Sequence, residues 1–296
     1  MYRYLSHDKQ YAIFNIVFRK EVPMQNQVIT ELQDFRRLEW SRIRHSSGTA
    51  GSFLKSKENI RGIKWYYKLS DFDAYNGIIG HECVNELIAD RLLTLLGIPH
   101  LNYQLIHARI QIQNRDYITW LCRSKDYKKP DEGKIALDTF YQMERQEMES
   151  PLDFCVRQGW SKYIYQMLIT DFLILNRDRH GANIEVLRSR LEHTYRLSPL
   201  FDHGLSLYFS THDEKDLADA DPMADKRVQC FVGSGSTYQN LKLIPKAYLQ
   251  VKGKLRETDR DYLFKDLEDA LSPAYRDAIW EMIWRRWQYY ESLCNS

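Results

Sequence analysis

The sequence predicts an α+β protein in two lobes, a small strand-rich N-terminal lobe followed by a larger helical C-terminal lobe. Three observations carry this. The first part of the chain is a succession of short aromatic and β-branched runs, "IKWYYKLS", "YQLIHARIQIQ" and "DYITWLCRS". The second part spaces its apolar residues as a helix does, in "GWSKYIYQMLITDFLIL" and "IWEMIWRRWQYY". Between them lies the polar stretch "SKDYKKPDEGK". The division falls at residues 1–124 and 125–296.

Taken in order, residues 1–45 mix a strand-like run, "YAIFNIVF", with a charged run read as helix, "VITELQDFRRLEWSRIR", and form an accessory segment. "HSSGTAGSFLKS" is a Ser- and Gly-rich loop with an apolar pair at Phe53 and Leu54. "IKWYYKLS" is a strand with Lys68 near its end. In "NGIIGHECVNELIADRLLTLLGIP", Val84, Leu87, Ile88, Leu92, Leu95 and Leu96 recur at helical spacing until Gly97 and Pro99 stop the pattern. Two strands follow, joined by a turn at Asn114-Arg115. Ile164, Met167, Leu168, Phe172 and Leu175 mark a helix leading into "NRDRHGANIEVL". "HTYRLSPLFDHGLSL" contains a strand or two with a turn at Asp202-His203-Gly204. Residues 205–240 are polar and loop-like. Two amphipathic helices meeting near Ser272-Pro273 close the chain.

Composition excludes several classes. At 296 residues, 44% hydrophobic and 28% charged, the chain is globular rather than disordered. A net charge of +2 gives no nucleic-acid-scale basic field, so no direct nucleic-acid partner is expected. Five scattered cysteines without a CxxC spacing argue against disulfides and zinc. "MYRYLSHDKQYAIF" lacks a signal-peptide pattern, and "YIYQMLITDFLIL" is broken by Gln166 and Asp171, so neither secretion nor membrane insertion is expected. The expected setting is a reduced cytoplasm.

The chemistry concentrates at "NRDRHGANIEVL". Asp178, Asn183 five residues on, and a later Asp202 before Gly204 form the set that phosphoryl transfer needs: a carboxylate near the acceptor hydroxyl and oxygen ligands for magnesium. Protein kinases carry an Asp, an Asn five residues later and a DFG triplet; here the triplet is Asp202-His203-Gly204. Upstream, "SSGTAGS" can cover phosphates through Ser47, Gly48, Thr49 and Gly51. Lys68 on the next strand can reach the phosphates, and Glu82 or Glu86, one helical turn apart, can pair with it. Taken singly, each feature has a plainer reading: Asp178 as a cap, Lys68 as a solvated cation, the glutamates as a wet helix face. Their order along the chain favours the functional one. His180, His193 and His203 fit no zinc spacing. Asp171 can hydrogen-bond the loop that follows it.

The run "NRDRHGAN" followed by "LFDHGLSL", together with "SSGTAGSFLK", "WYYKLS" and "ECVNELIADRLLTLLGI", resembles the HipA-like Ser/Thr kinase family over roughly residues 45–290. The loop is also similar to that of phosphatidylinositol kinases. The resemblance implies a two-lobed protein-kinase-like fold, with ATP and Mg²⁺ as cofactors. It implies Asp178 as the catalytic carboxylate, Asn183 and Asp202 as magnesium ligands and Lys68 on the nucleotide phosphates. Glu86, in the Asn-Glu pair, becomes the first choice as partner of Lys68 and Glu82 the second. His180 becomes a loop organiser, and His203 packs as the Phe of a DFG triplet does. Adenine is expected against the strand near Leu121 and Cys122. Autophosphorylation of a loop serine is implied, with Ser46, Ser47 and Ser52 as choices.

The expected activity is transfer of the γ-phosphoryl group of ATP to a hydroxyl, foremost a Ser or Thr of a protein or peptide. The alternatives are a pseudokinase that holds a partner, a lipid or small-molecule kinase, and phosphotransfer within a peptide-modification pathway. No polybasic tract supports the lipid reading. Oligomeric state is not legible.

Overall fold

The computed structural model describes residues 26–43, 50–211 and 213–295. The N-terminal part holds β1 (Val28–Asp34), β2 (Ser41–Ile43), β3 (Ala50–Ile60), β4 (Ile63–Leu69), β5 (Asp71–Asp73), β6 (Gly77–Ile79), α1 (Glu82–Leu96), β7 (Gln104–Ile112) and β8 (Arg115–Lys125). Six of these strands form one sheet in the order β1-β7-β8-β4-β3-β2, and β5 pairs with β6. The hairpins follow from turn chemistry. β3 and β4 are joined by Arg61 and Gly62 at φ 52° and 80°, and β7 and β8 by Gln113 and Asn114 at 50° and 63°. Two consecutive left-handed residues give the tight turn whose twist matches the strands. The second turn lies one residue earlier than the sequence reading put it.

α1 ends as its sequence dictates. Gly97 adopts φ 65° and Ile98 N donates to Leu93 O at 3.0 Å, which closes the last turn. The helix is buried nearly all round, so its few polar residues, Asn85, Glu86, Asp90 and Arg91, must find partners inside the protein.

The C-terminal part runs β9 (Glu132–Ala136), α2 (Leu137–Glu144), α3 (Pro151–Arg157), α4 (Ser161–Leu173), β10 (Asp178–Arg179), β11 (Glu185–Ser189), β12 (Tyr195–Leu197), α5 (Glu214–Ala218), β13 (Gln229–Cys230), α6 (Thr237–Leu241), α7 (Arg260–Phe264) and α8 (Pro273–Asn295). Strands β12, β11 and β9 make a small antiparallel sheet, and β10 pairs in parallel with β13. Ser150 caps α3 by accepting from Asp153 N at 3.1 Å, with Pro151 at the first helical position.

One continuous apolar core joins α1 to α4 and α8 through Leu87, Leu92, Phe172, Ile283 and Trp287. A smaller core of Phe35, Leu54, Tyr67, Ile106 and Leu121 lies on the other face of the six-stranded sheet. No helix among the described residues is long and apolar enough to cross a membrane.

Three expectations need correction. Residues 28–34, read as helix, are strand β1, paired in parallel with β7 from Val28↔Leu105 to Asp34↔Arg109. The β-branched start Val-Ile-Thr favours extended chain, and sheet pairing overrides the charged helical pattern. "EGKIA", placed in a polar hinge, is β9, paired along its length with β11. The first of the two closing helices is a single short piece, α7, while α8 runs 23 residues. The run "YAIFNIVF" lies outside the described residues.

Candidate active site

Lys68, the last residue but one of the central strand β4, is buried and points its ammonium at two carboxylates. Its Nζ lies 2.7 Å from Glu86 Oε1 and 2.6 Å from Asp202 Oδ1. Burial alone would depress the ammonium; Asp202 and Glu86 outweigh it and hold the group well above the ordinary lysine range. Nζ also sits 4.7 Å from the centre of the Phe53 ring on β3, which roofs it. Glu86 is fully buried and uses its second oxygen to accept from His203 N at 2.9 Å. One carboxylate of α1 thus fixes both the strand lysine and the backbone after Asp202.

Glu82 takes a different part. Its Oε2 accepts from Asp71 N at 3.3 Å, and burial pushes its carboxyl above the usual range. The choice between Glu82 and Glu86 left open by spacing falls to Glu86 on contact.

The Asp202-His203-Gly204 turn is shaped by its surroundings. Asp202 adopts φ 60°, a conformation that Asp tolerates better than most residues. A Cβ on Gly204 would stand 2.9 Å from Lys68 Nζ and 3.2 Å from Glu82 Cβ, so a side chain there would press on the lysine. Asn85 Nδ2 donates to the carbonyls of Gly204 and Ser206, each at 3.0 Å. His203 is buried; burial, then Arg179 and His100, hold its imidazole well below the ordinary histidine range, so it packs as a neutral ring.

The second cluster lies on the loop after α4. Asn183 Nδ2 donates to Asp178 O at 2.7 Å and Asp178 Oδ2 at 3.3 Å. Among the described residues nothing donates to the Asn183 amide oxygen. His180 accepts from Ala182 N through Nδ1 at 3.2 Å, capping the 3-10 turn Gly181–Asn183, and its Nε2 is 3.6 Å from Asp178 Oδ2. Gly181 packs on the start of α2: a Cβ there would lie 2.5 Å from Asp138 Cβ.

Arg179 joins the two clusters, and sequence reading missed it. It is buried and held by Asp171, with Nη2 2.9 Å from Oδ1 and Nε 3.0 Å from Oδ2. Its Nη1 donates to Phe201 O at 2.8 Å, next to Asp202. Asp171 also accepts from Asn176 Nδ2 at 2.9 Å, so this helix residue anchors the whole loop. A buried arginine beside a helix carboxylate is visible in sequence only as the second Arg of "NRDRH". Asn85 was equally visible in "VNEL" but had no chemistry to flag it.

The remaining expected residues separate. Ser46, Ser47, Gly48 and Thr49 lie outside the described residues; Gly51 and Ser52 are the second and third residues of β3. Leu121 and Cys122 are buried and paired with Leu69 and Lys68 in the sheet, so neither side chain is open to an adenine ring. Side chains alternate along β8, which sends Leu121 to one core and Cys122 to the other.

Among the described residues no group of three or more His, Cys, Asp or Glu side chains could hold a metal. Asp202 and Asn183 carry oxygen donors of the kind that could take magnesium. Mg²⁺ is commonly held by one or two protein oxygens with phosphate and water completing its shell.

The fold is the two-lobed, kinase-like fold that the sequence led us to expect. It is similar to the Helicobacter pylori proinflammatory kinase CtkA, with a TM-score of 0.59 at 16% identity over 88% of this chain and 96% of that one. Weaker likenesses join it to the HipA, HipB and operator DNA complex of the Shewanella oneidensis MR-1 toxin–antitoxin system (TM-score 0.37, 14% identity, 84% and 67% covered). A Neurospora crassa PAN3 pseudokinase mutant matches at TM-score 0.35 and 10% identity, over 94% and 64%. Only the first bears on the fold. No protein-family model and no curated protein matches this chain.

Proposed function

We propose that the protein is an ATP- and Mg²⁺-dependent kinase that phosphorylates a Ser or Thr hydroxyl of a protein or peptide. The observation that carries this is the buried Lys68 bridging Glu86 and Asp202, a costly arrangement of charge with no evident structural need. In this reading the chain divides near residue 125, at the end of β8, with the nucleotide between the two parts.

Lys68 holds the nucleotide phosphates and is itself aimed by Glu86. Asp202 and Asn183 would hold the metal, which when bound neutralises charge on the phosphates. Asp178 orients the acceptor hydroxyl. The hydroxyl oxygen bonds the γ-phosphorus as the bond to the β–γ bridging oxygen breaks; its proton passes to the Asp178 carboxylate and ADP leaves. Asn183 steadies Asp178 through the hydrogen bonds to its carbonyl and carboxylate. Catalysis then rests on positioning and charge complementarity.

Asp178→Ala is expected to abolish transfer while Mg·ATP still binds, and Asp202→Ala to weaken Mg-dependent nucleotide binding severely. Calorimetry and γ-phosphate transfer assays read the two separately. Transfer at the wild-type rate in the first variant, or unchanged binding in the second, contradicts the assignment.

A further inference from the structure

Resting on that reading, the rim of the acceptor side names a class of substrate. β13 runs parallel to β10 with Gln229 level with Asp178. A groove of about 470 Å³ opens between the Asp178 loop and residues 227–235, lined by His180, Gly181, Arg227, Phe231 and Ser234 among others. At Gly235 an added side chain would touch Val228 O at 3.6 Å and Arg227 Cγ at 3.8 Å without a clash.

Of the cations here, Arg227 lines the groove, Lys226 precedes it in the chain and Arg177 reaches its backbone; among the described residues no ion pair joins any of them to a carboxylate. Arg227 is exposed, and among the described residues its guanidinium makes no hydrogen bond or ion pair; the same holds for the ammonium of Lys226. Arg177 Nε donates to the carbonyl of Arg227 at 2.5 Å, which seats a second guanidinium beside the first chain segment. Two carboxylates nearby hydrogen-bond neutral amide and hydroxyl groups and keep their negative charge. Asp138, at the start of α2 on the groove wall, accepts from Thr139 N and Oγ1 at 2.6 and 3.2 Å. Asp225 accepts from Ser236 Oγ at 2.5 Å. Cations that no carboxylate pairs with, standing beside a groove, can receive anionic groups, although Asp138 on the groove wall keeps its own negative charge.

We propose that the acceptor is a Ser or Thr within a peptide segment rich in Asp or Glu, its acidic residues seated on Arg177, Lys226 and Arg227. An extended chain suits a groove bordered by the short strand β13. The hydroxyl then reaches Asp178, and the flanking carboxylates fall on the cationic rim.

The test is a Ser/Thr peptide library with acidic, neutral or basic flanks, incubated with Mg·ATP and wild type, Arg227→Glu, Arg177→Glu or Arg227→Gln. Phosphoinositide vesicles form a further arm. Transfer is read by radiolabel, and nucleotide binding separately by the Mg·ATP-dependent rise in Tm. Acidic flanks are expected to lower KM at least about tenfold against basic ones, with the order reversed by either charge reversal and only blunted by Arg227→Gln. Equal or basic preference in wild type overturns the acidic-acceptor proposal and leaves the kinase reading standing, whereas transfer to phosphoinositide and to no peptide overturns both the acidic acceptor and the Ser/Thr acceptor and leaves only phosphoryl transfer. Nucleotide binding without transfer to any acceptor overturns the kinase reading as well.

Discussion

At the scale of single residues, the site turns on which carboxylate faces Lys68. Glu86 is fully buried against the ammonium, whereas Glu82 is occupied with the Asp71 backbone. Removing one partner of a buried ion pair leaves charge uncompensated, and Asp202 can make up only part of the loss. Glu86→Ala is therefore expected to destabilise the fold by about 3 kcal/mol and to lower kcat/KM strongly. Glu82→Gln, which neutralises a carboxyl already pushed toward its protonated form, should leave both nearly unchanged. Urea titrations and steady-state assays of the two variants check this; equal effects would mean that the helix offers either glutamate to the lysine. Asp178, Asn183 and Asp202 were legible in the sequence because their spacing is itself the signal. Arg179 and Asn85 were not, because their work is to satisfy backbone carbonyls, Phe201 O for one and Gly204 O and Ser206 O for the other. Such partners exist only once the chain is folded.

At the scale of elements, α1 is fastened to the C-terminal part at its far end. Arg91 Nη1 donates to Leu263 O and Lys265 O at 2.9 and 2.8 Å, and Gly253 N donates to Leu96 O at 3.0 Å. A Cβ on Gly253 would fall 1.8 Å from Leu95 O, a contact no small shift relieves. The helix that aims Glu86 is thus positioned by a loop more than 150 residues away in sequence. Gly253→Ala should destabilise by about 2–3 kcal/mol and weaken Mg·ATP binding along with it. A stable variant that has lost nucleotide affinity alone, or neither property, would disconnect α1 from this anchor. The elements that periodicity found, α1, α4 and α8, are those whose apolar residues are numerous enough to set a period. β1 and β9 escaped because a strand at the edge of a sheet, or in a small three-stranded one, shows little alternation of its own. What identifies them is the partner strand, β7 for one and β11 for the other.

At the scale of the whole molecule, the main core does not stop at the lobe boundary. Val84, Leu105 and Cys122 from the N-terminal part share one cluster with Phe172, Ile283 and Trp287 from the C-terminal part. Lobes joined through a common core should unfold together. Tryptophans lie in both, Trp65 and Trp120 in the sheet and Trp280, Trp284 and Trp287 on α8. Far-UV circular dichroism and tryptophan fluorescence should therefore report one coincident urea transition, and two resolved transitions would show that the shared core does not couple the lobes. The same coupling keeps Lys68, Glu86 and Asp202 in register across the two parts. Phosphoryl transfer at Asp178 is tested most directly by mass spectrometry of wild type and Asp178→Asn after incubation with Mg·ATP and the Ser/Thr peptide library. Phosphate on peptide or on the chain itself in wild type, absent in Asp178→Asn, is the expected result. Bound nucleotide with no phosphate transferred by wild type, or equal transfer by both, would contradict it.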